Sequence, residues 1–373
     1  MRKVLVLFIF VVLLMGVMNA ETKLSMELWS RWSYLMLDGA DEALQNELSL
    51  ARGYFGLEQK FTDQISGRFL ADFSSKGATV LENDEMISNN GAGLKLKLAY
   101  VKFSDILWKQ SDLIVGLQLT YFGTLYDWSY PTIDLSPNDM YGFATSCDYG
   151  ITLGGTLPMG FCKYHLGAYN GEGYAKSGNQ IDTNMAYLGD LRITPMEGIT
   201  IGGSYYIKPA DGVYAADSLG ESVDYDIANN KMTGFVKFNM LKGFNLQAQY
   251  LTGTETTKSW GDSLGVLETD LTTTAISIMP VINIKEFTDV DAELVFRYDI
   301  YDDNTDMDDD VLGSMAHDLM IAGINYYLLR DDAGKAKMWV QANYSMMNYK
   351  YEDYTDASII KIQLRWKFSE LLK

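Results

Sequence analysis

Histidine is nearly absent from this chain: His165 and His317 are the only two in 373 residues. Cysteine is as scarce, with Cys147 and Cys162 alone. A zinc site assembled from His and Cys, which takes about four such ligands, is therefore not expected. Two cysteines allow at most one bridge, and the strand pattern below sets them near opposite ends of neighbouring strands, too far apart for disulfide geometry. They read as buried free thiols. Neither histidine stands beside a nucleophile motif, so a lipase or protease, which needs a positioned base next to Ser or Asp, is a poor fit. Positive charge is also short, at 30 Lys and Arg against 49 Asp and Glu. A net charge of −19 argues against nucleic acid as a partner. Nothing in the composition calls for a cofactor. With only six prolines there is no proline-rich tract, and no linker or second domain is visible.

Long apolar runs are missing everywhere except at the start. "MRKVLVLFIFVVLLMGVMNA" places Arg2 and Lys3 before an unbroken apolar run from Val4 to Val17, followed by Asn19-Ala20. That is the charged, apolar and small-residue order of a secretory signal, and the run is shorter than the roughly 20 residues of a spanning helix. Residues 1–20 are expected to be removed on export. The mature segment 21–373 then carries −21, because the signal holds two of the 30 basic residues and none of the acids.

What is present is a period of two. In "SIIKIQLRWKF" (358–368) Ile360, Ile362, Leu364, Trp366 and Phe368 alternate with Lys361, Gln363, Arg365 and Lys367. Successive side chains of a strand point to opposite faces, so one face is apolar and the other charged. The pattern recurs: Leu24, Met26, Leu28, Trp32, Tyr34 and Met36 oppose Lys23, Ser25, Glu27, Arg31 and Ser33; Leu94, Leu96, Leu98 and Tyr100 oppose Lys95 and Lys97; Leu113, Val115, Leu117, Leu119 and Tyr121 form a further apolar face. Counting such segments predicts about sixteen strands.

Connection lengths alternate too. Short ones such as "FTDQ", "LPMG", "TPMEG", "MLKG" and "RDDAG" interleave with long ones at 75–93, 123–147, 209–229 and 254–269. A soluble sandwich has no reason to sort loop length by parity. A transmembrane antiparallel β-barrel does, with short periplasmic turns on one rim and long external loops on the other. Strands of about 9–11 residues match a tilted span of the hydrocarbon layer. Sixteen of them enclose an aqueous channel. The expected fold is all-β, one closed barrel over 21–373, with Ile360, Ile362, Leu364 and Trp366 toward lipid and Lys361, Gln363, Arg365 and Lys367 toward the lumen.

Four stretches, "RGYFGLEQKFTDQISGRFLADF" (52–73), "LKLKLAYVKF" (94–103), "AYNGEGY" (168–174) and "GINYYL" (323–328), resemble the phosphate-selective porin O and P group of Gram-negative outer-membrane porins. The resemblance implies a homotrimer in the outer membrane, among lipid and lipopolysaccharide, with a third external loop (about 123–147) folded into the lumen. It further implies passive diffusion of ions and small hydrophilic solutes, anions or phosphate among them.

Phosphate selection needs Lys or Arg at a constriction. The third loop, "GTLYDWSYPTIDLSPNDMYGFATSC", has neither. It offers Asp127, Asp134 and Asp139 with the aromatic residues Tyr126, Trp128 and Tyr130. The early strands face inward with Arg31, Arg52, Lys60, Arg68, Lys95 and Lys97. Loop acids opposite wall bases would set up a transverse field, so Asp127, Asp134, Asp139, Arg31, Arg68, Lys95 and Lys97 are the candidate constriction residues. Tyr126, Trp128 and Tyr130 either line the pore or pack the loop against the wall. "YDDNTDMDDD" (301–310) starts like a calcium loop but has Met307 and Gly313 where an EF-hand needs Gly and Glu. "GEGYAKSG" (171–178) lacks the phosphate-loop spacing. Besides the diffusion channel, a structural or adhesive barrel without significant conductance stays open.

Overall fold

The structure is a computed structural model that describes residues 21–74, 79–82, 85–88, 93–176, 184–214, 223–260, 266–307, 314–352 and 354–372. The expected export signal 1–20, residues 177–178 of the glycine-rich stretch and 308–310 of the acidic stretch lie outside the described residues.

The alternating segments are strands, and sixteen of them close one antiparallel barrel. In chain order they are β1 (Glu21–Leu37), β2 (Gln45–Lys60), β3 (Ile65–Ser74), β4 (Gly93–Ser104), β5 (Ser111–Leu119), β6 (Cys147–Thr156), β7 (Cys162–Tyr169) and β8 (Ala186–Met196). Then follow β9 (Ile199–Tyr214), β10 (Val223–Leu241), β11 (Phe244–Trp260), β12 (Val266–Asn283), β13 (Ala292–Asp302), β14 (His317–Arg330), β15 (Ala336–Tyr349) and β16 (Ala357–Leu372). A separate two-stranded hairpin, Thr79–Glu82 with Glu85–Ser88, lies between β3 and β4. Each barrel strand pairs with its sequence neighbours. The barrel closes where β1 meets β16, in the register Leu28 to Trp366 and Trp32 to Ile362. Closure leaves no unpaired strand edge.

Alternation decides which side chains leave the wall outward. Ile360, Ile362 and Leu364 are 37–43% exposed, whereas Gln363 and Arg365 between them are 0% and 2%. The exterior is therefore apolar and the interior polar, the reverse of a soluble barrel.

Two of the apolar faces expected from sequence are broken. In β4, Leu98 pairs with Leu70 but the next pair is Leu96 with Ala71, so Lys97 is an extra residue, a β-bulge. Side-chain direction slips by one beyond it. Leu98 is 2% exposed rather than on the outer face, and Val101 takes the outer position at 38%. In β5, Gly116 has φ 122°, a conformation L side chains rarely adopt. Val115 before it faces out at 38%, while Leu117 after it is fully buried against Leu98 and Cys147. Cys147 and Cys162 are both buried free thiols, as the spacing predicted.

Candidate functional site

The connection 120–146 between β5 and β6 turns into the barrel. Its root is tied first: the Gly123 amide donates to Ser204 Oγ at 2.8 Å, and Arg192 donates to the Gly123 carbonyl. Thr124 Oγ1 donates to Gln249 Oε1 at 2.7 Å, and Gln249 Nε2 donates onward to Asn138 Oδ1 and Thr233 Oγ1, each at 2.8 Å. The body then runs along the inner wall. Asp127 accepts from Arg192 at 2.7 Å on β8 and from Lys237 at 2.6 Å on β10. Trp128 packs on Met279 and Val281 of β12 and Val295 of β13. Pro131 O accepts from Asn325 Nδ2 on β14 and Tyr130 O from Gln341 Nε2 on β15, both at 3.0 Å. The Tyr130 ring meets Trp29 of β1 edge-on with centroids 4.7 Å apart, and its hydroxyl accepts from Arg52 of β2 at 3.0 Å. These partners lie around most of the circumference, so the loop crosses the interior. Its one helical turn, Pro137–Met140, is capped by Ser136, whose Oγ accepts from the Asp139 amide at 3.3 Å.

Two of the three loop acids touch their bases directly rather than across open space. Asp127 is in direct contact with its two bases, and Asp134 is paired with Lys361 of β16. The Asp134 carboxyl lies below its ordinary range: burial raises it, and the attraction and hydrogen bond of Lys361 outweigh that. Asp139 makes no ion pair among the described residues, and burial lifts its carboxyl above the ordinary value against the pull of Lys97 and Arg52.

The candidate bases separate into levels. Arg31 donates from Nε and Nη2 to Gln363 Oε1 at 2.9 and 2.8 Å, a neutral acceptor, and makes no ion pair among the described residues. Lys97 is buried, 3.8 Å from Asp72 Oδ2, and donates to Tyr54 OH at 3.2 Å. Arg68 instead lines a cavity of about 840 Å³ on the short-turn side of the loop, whose roof is Ser129, Tyr130 and Pro131. Lys95 is exposed near the long-loop end of β4, outside this cluster. Lys60 keeps the inward parity of Glu58 but sits at the short-turn end of β2, where it is half exposed and pairs with Asp63 in the turn at 2.7 Å. The aromatic residues pack the loop to the wall. Arg192 lies over the Tyr126 ring at 4.0 Å, and Tyr130 fills the space between Trp29 and Arg52.

Sequence reading missed the inner-wall pairs that hold the loop. Arg297 and Asp299 are fully buried side chains joined at 2.5 Å; Arg297 also donates to Leu135 O at 2.6 Å, and Tyr141 OH donates to Asp299 at 2.9 Å. Asp190 and Arg192 form the second pair, at 3.3 Å. Both were legible as opposite charges two apart inside an apolar strand, "DLR" and "RYD", a spacing that turns both inward.

The histidines have other work. His165 stacks on Tyr121 with centroids 4.0 Å apart and contacts Asp190 at 3.2 Å, beside the loop root. His317 stands among Tyr141, Tyr301 and Tyr349 near the long-loop rim. Among the described residues no three His, Cys, Asp or Glu side chains gather to hold a metal. In the acidic stretch, Asp302 and Asn304 accept from nearby backbone amides.

No protein-family model matches the chain, and no curated protein matches it. Solved structures do. The outer-membrane channel DcaP of Acinetobacter baumannii is 12% identical, with 94% of this chain and 98% of that one covered and a TM-score of 0.61. Outer-membrane expressed OmpT of Vibrio cholerae is 11% identical, with 94% and 98% covered and a TM-score of 0.60. OmpF of Salmonella typhi, solved in complex with daunomycin, is 13% identical, with 92% and 97% covered and a TM-score of 0.59. Identities this low show the fold alone, and they do not single out the porin O and P group. The chain has the sixteen-stranded barrel architecture of these outer-membrane proteins.

Proposed function

We propose that this protein is an outer-membrane porin, a passive channel for ions and small hydrophilic solutes whose constriction is the third loop and the wall it rests on. The observation that carries this reading is the loop itself, held inside a barrel that is apolar outside and charged within. A barrel serving only as an anchor would need no infolded strap tied to opposite walls. Export through the signal 1–20, lipid and lipopolysaccharide around the apolar belt, and assembly as a homotrimer belong to the same reading.

The constriction leans toward anions. Asp127 and Asp134 are neutralised by contact with Arg192, Lys237 and Lys361, whereas Arg31 rests on an amide and keeps its charge for the lumen. Asp139, which makes no ion pair among the described residues, is the loop acid that opposes it. Purified protein in a planar bilayer under a KCl gradient is expected to give discrete steps with a reversal potential on the chloride side. Arg31→Gln should move that potential toward potassium. A potassium-leaning wild type would return the constriction to the loop acids, and a folded barrel without steps would favour a structural or adhesive role.

A further inference from the structure

Almost every residue of the stretch "AYNGEGY" (168–174) is tied down. Gly171 and Gly173 have φ 88° and 75°, and the Gly171 amide donates to Asp148 Oδ2 at 2.7 Å. A side chain at Gly173 would run into Thr145. Glu172 is ion-paired with Lys208 of β9 at 2.6 Å, both side chains nearly buried. The Asn170 amide donates to Tyr149 O at 2.9 Å. The fourth loop is thereby folded inward, and its next turn, Tyr174–Lys176, lays the Tyr174 ring over Lys97.

Lys97 is the extra residue of the β4 bulge, which turns it into the lumen. Its ammonium lies 5.3 Å from the Tyr174 ring centroid and 5.2 Å from that of Tyr54, with Asp72 Oδ2 at 3.8 Å. The Tyr174 ring, the Tyr54 hydroxyl that accepts from it at 3.2 Å and one carboxylate surround it, and the residue is 7% exposed. Aromatic faces attract a cation while shielding it from water. Lys95, two residues earlier on the same strand, is exposed.

Resting on the porin reading, we infer that Tyr174 is a specificity-determining residue: the fourth loop closes a two-tyrosine cage over Lys97 and withholds that charge from permeating ions. Sequence placed Lys97 at the constriction as a bare lysine; the cage makes it a screened one. The NGEG turn acts through Tyr174, so Asp148 and Glu172 are positioning residues.

The test uses the folded, full-length protein in detergent, treated with a water-soluble amine-acylating reagent and read by mass spectrometry at each lysine. Lys95 is the internal standard. Lys97 is expected to react more slowly than Lys95 by on the order of tenfold or more, the Tyr174 ring, the Tyr54 hydroxyl and Asp72 holding its amine away from water. Tyr174→Ala should bring its rate toward that of Lys95, and Tyr174→Phe, which keeps the ring, should not. In the bilayer Tyr174→Ala should move the reversal potential toward chloride, Tyr174→Phe should leave it in place, and the shift should vanish in a Lys97→Gln background. Equal labelling of Lys97 and Lys95 in the wild type, or no change with Tyr174→Ala, overturns the cage. A cage confirmed by labelling in a protein that forms no channel overturns the specificity role and the porin reading while the cage stands. Heat-dependent gel migration shows that each variant barrel is folded.

Discussion

At the scale of single residues, the inner wall holds two kinds of ion pair with different expected worth. The Asp127 side chain is 36% exposed where it meets Arg192 and Lys237, and a pair so open to water contributes about 0–1 kcal/mol. Its weight is on the field that ions feel. Arg297 and Asp299 have no exposed side-chain surface, and removing one partner of such a pair costs on the order of 3–5 kcal/mol when the other charge stays dry. Arg297 also holds the loop carbonyl of Leu135 and touches the sulfur of Met140. Arg297→Ala is therefore expected to lower the urea midpoint of the detergent-folded barrel, and to make single-channel current noisier as the loop body loosens. Lumenal water reaching Asp299 would keep the loss below the dry limit. An Arg297→Ala channel as quiet and as stable as wild type would mean that the loop is held by its root alone.

Among elements, strands were legible wherever the period of two ran unbroken, and misread where backbone geometry interrupted it. Nothing in the letters "LKLKLAYVKF" marks Lys97 as a bulge, because the extra residue is defined by its partner strand. Gly116 gave a fainter sign, a glycine inside an apolar run. Its φ of 122° suits glycine, and a Cβ there would press on the Ala99 carbonyl oxygen. Gly116→Val should cost about 1–3 kcal/mol from backbone strain alone, read as a lower unfolding midpoint in urea, whereas the same change at Gly234, where a Cβ meets open space, should not. The short turns carry their own electrostatics. Asp291 accepts from Arg330 at 2.7 and 2.9 Å and from Lys285 at 3.1 Å. These contacts, led by the Arg330 hydrogen bond, hold its carboxyl below the ordinary 3.8. A depressed folded value means the stabilisation is present above the unfolded value and is lost as pH falls through the folded one. The wild type should thus lose more stability than Asp291→Asn on acidification below about pH 4, and identical acid titrations would remove the turn from the balance.

For the whole molecule, the barrel could be read from sequence because every strand repeats the same rule, and the constriction could not because its contacts do not. Asp127 finds Arg192 and Lys237, Asp134 finds Lys361, and Tyr130 finds Arg52 and Gln341, all far along the chain. Composition identified which residues of the loop were charged or aromatic; only the closed wall determines which of them meet. The two parts are also energetically distinct. The ladder of β1 to β16 pairs its backbone groups strand to strand without help from the loop, and a spanning barrel needs only that closure. The wall groups the loop covers, such as Gln249 and Arg192, would be hydrated in its absence rather than left dry. Replacing residues 125–141 by a short Gly-Ser link should therefore leave a folded barrel, with its heat-dependent gel migration intact. Removing the strap widens the passage from the cavity of about 840 Å³ beneath it to the long-loop side, so single-channel conductance should rise several-fold and the anion lean should weaken, since Arg31 would then act across a wider, better screened lumen. Unchanged conductance in that folded variant would place the narrowest point elsewhere, with the fourth loop over Lys97 the next segment to remove.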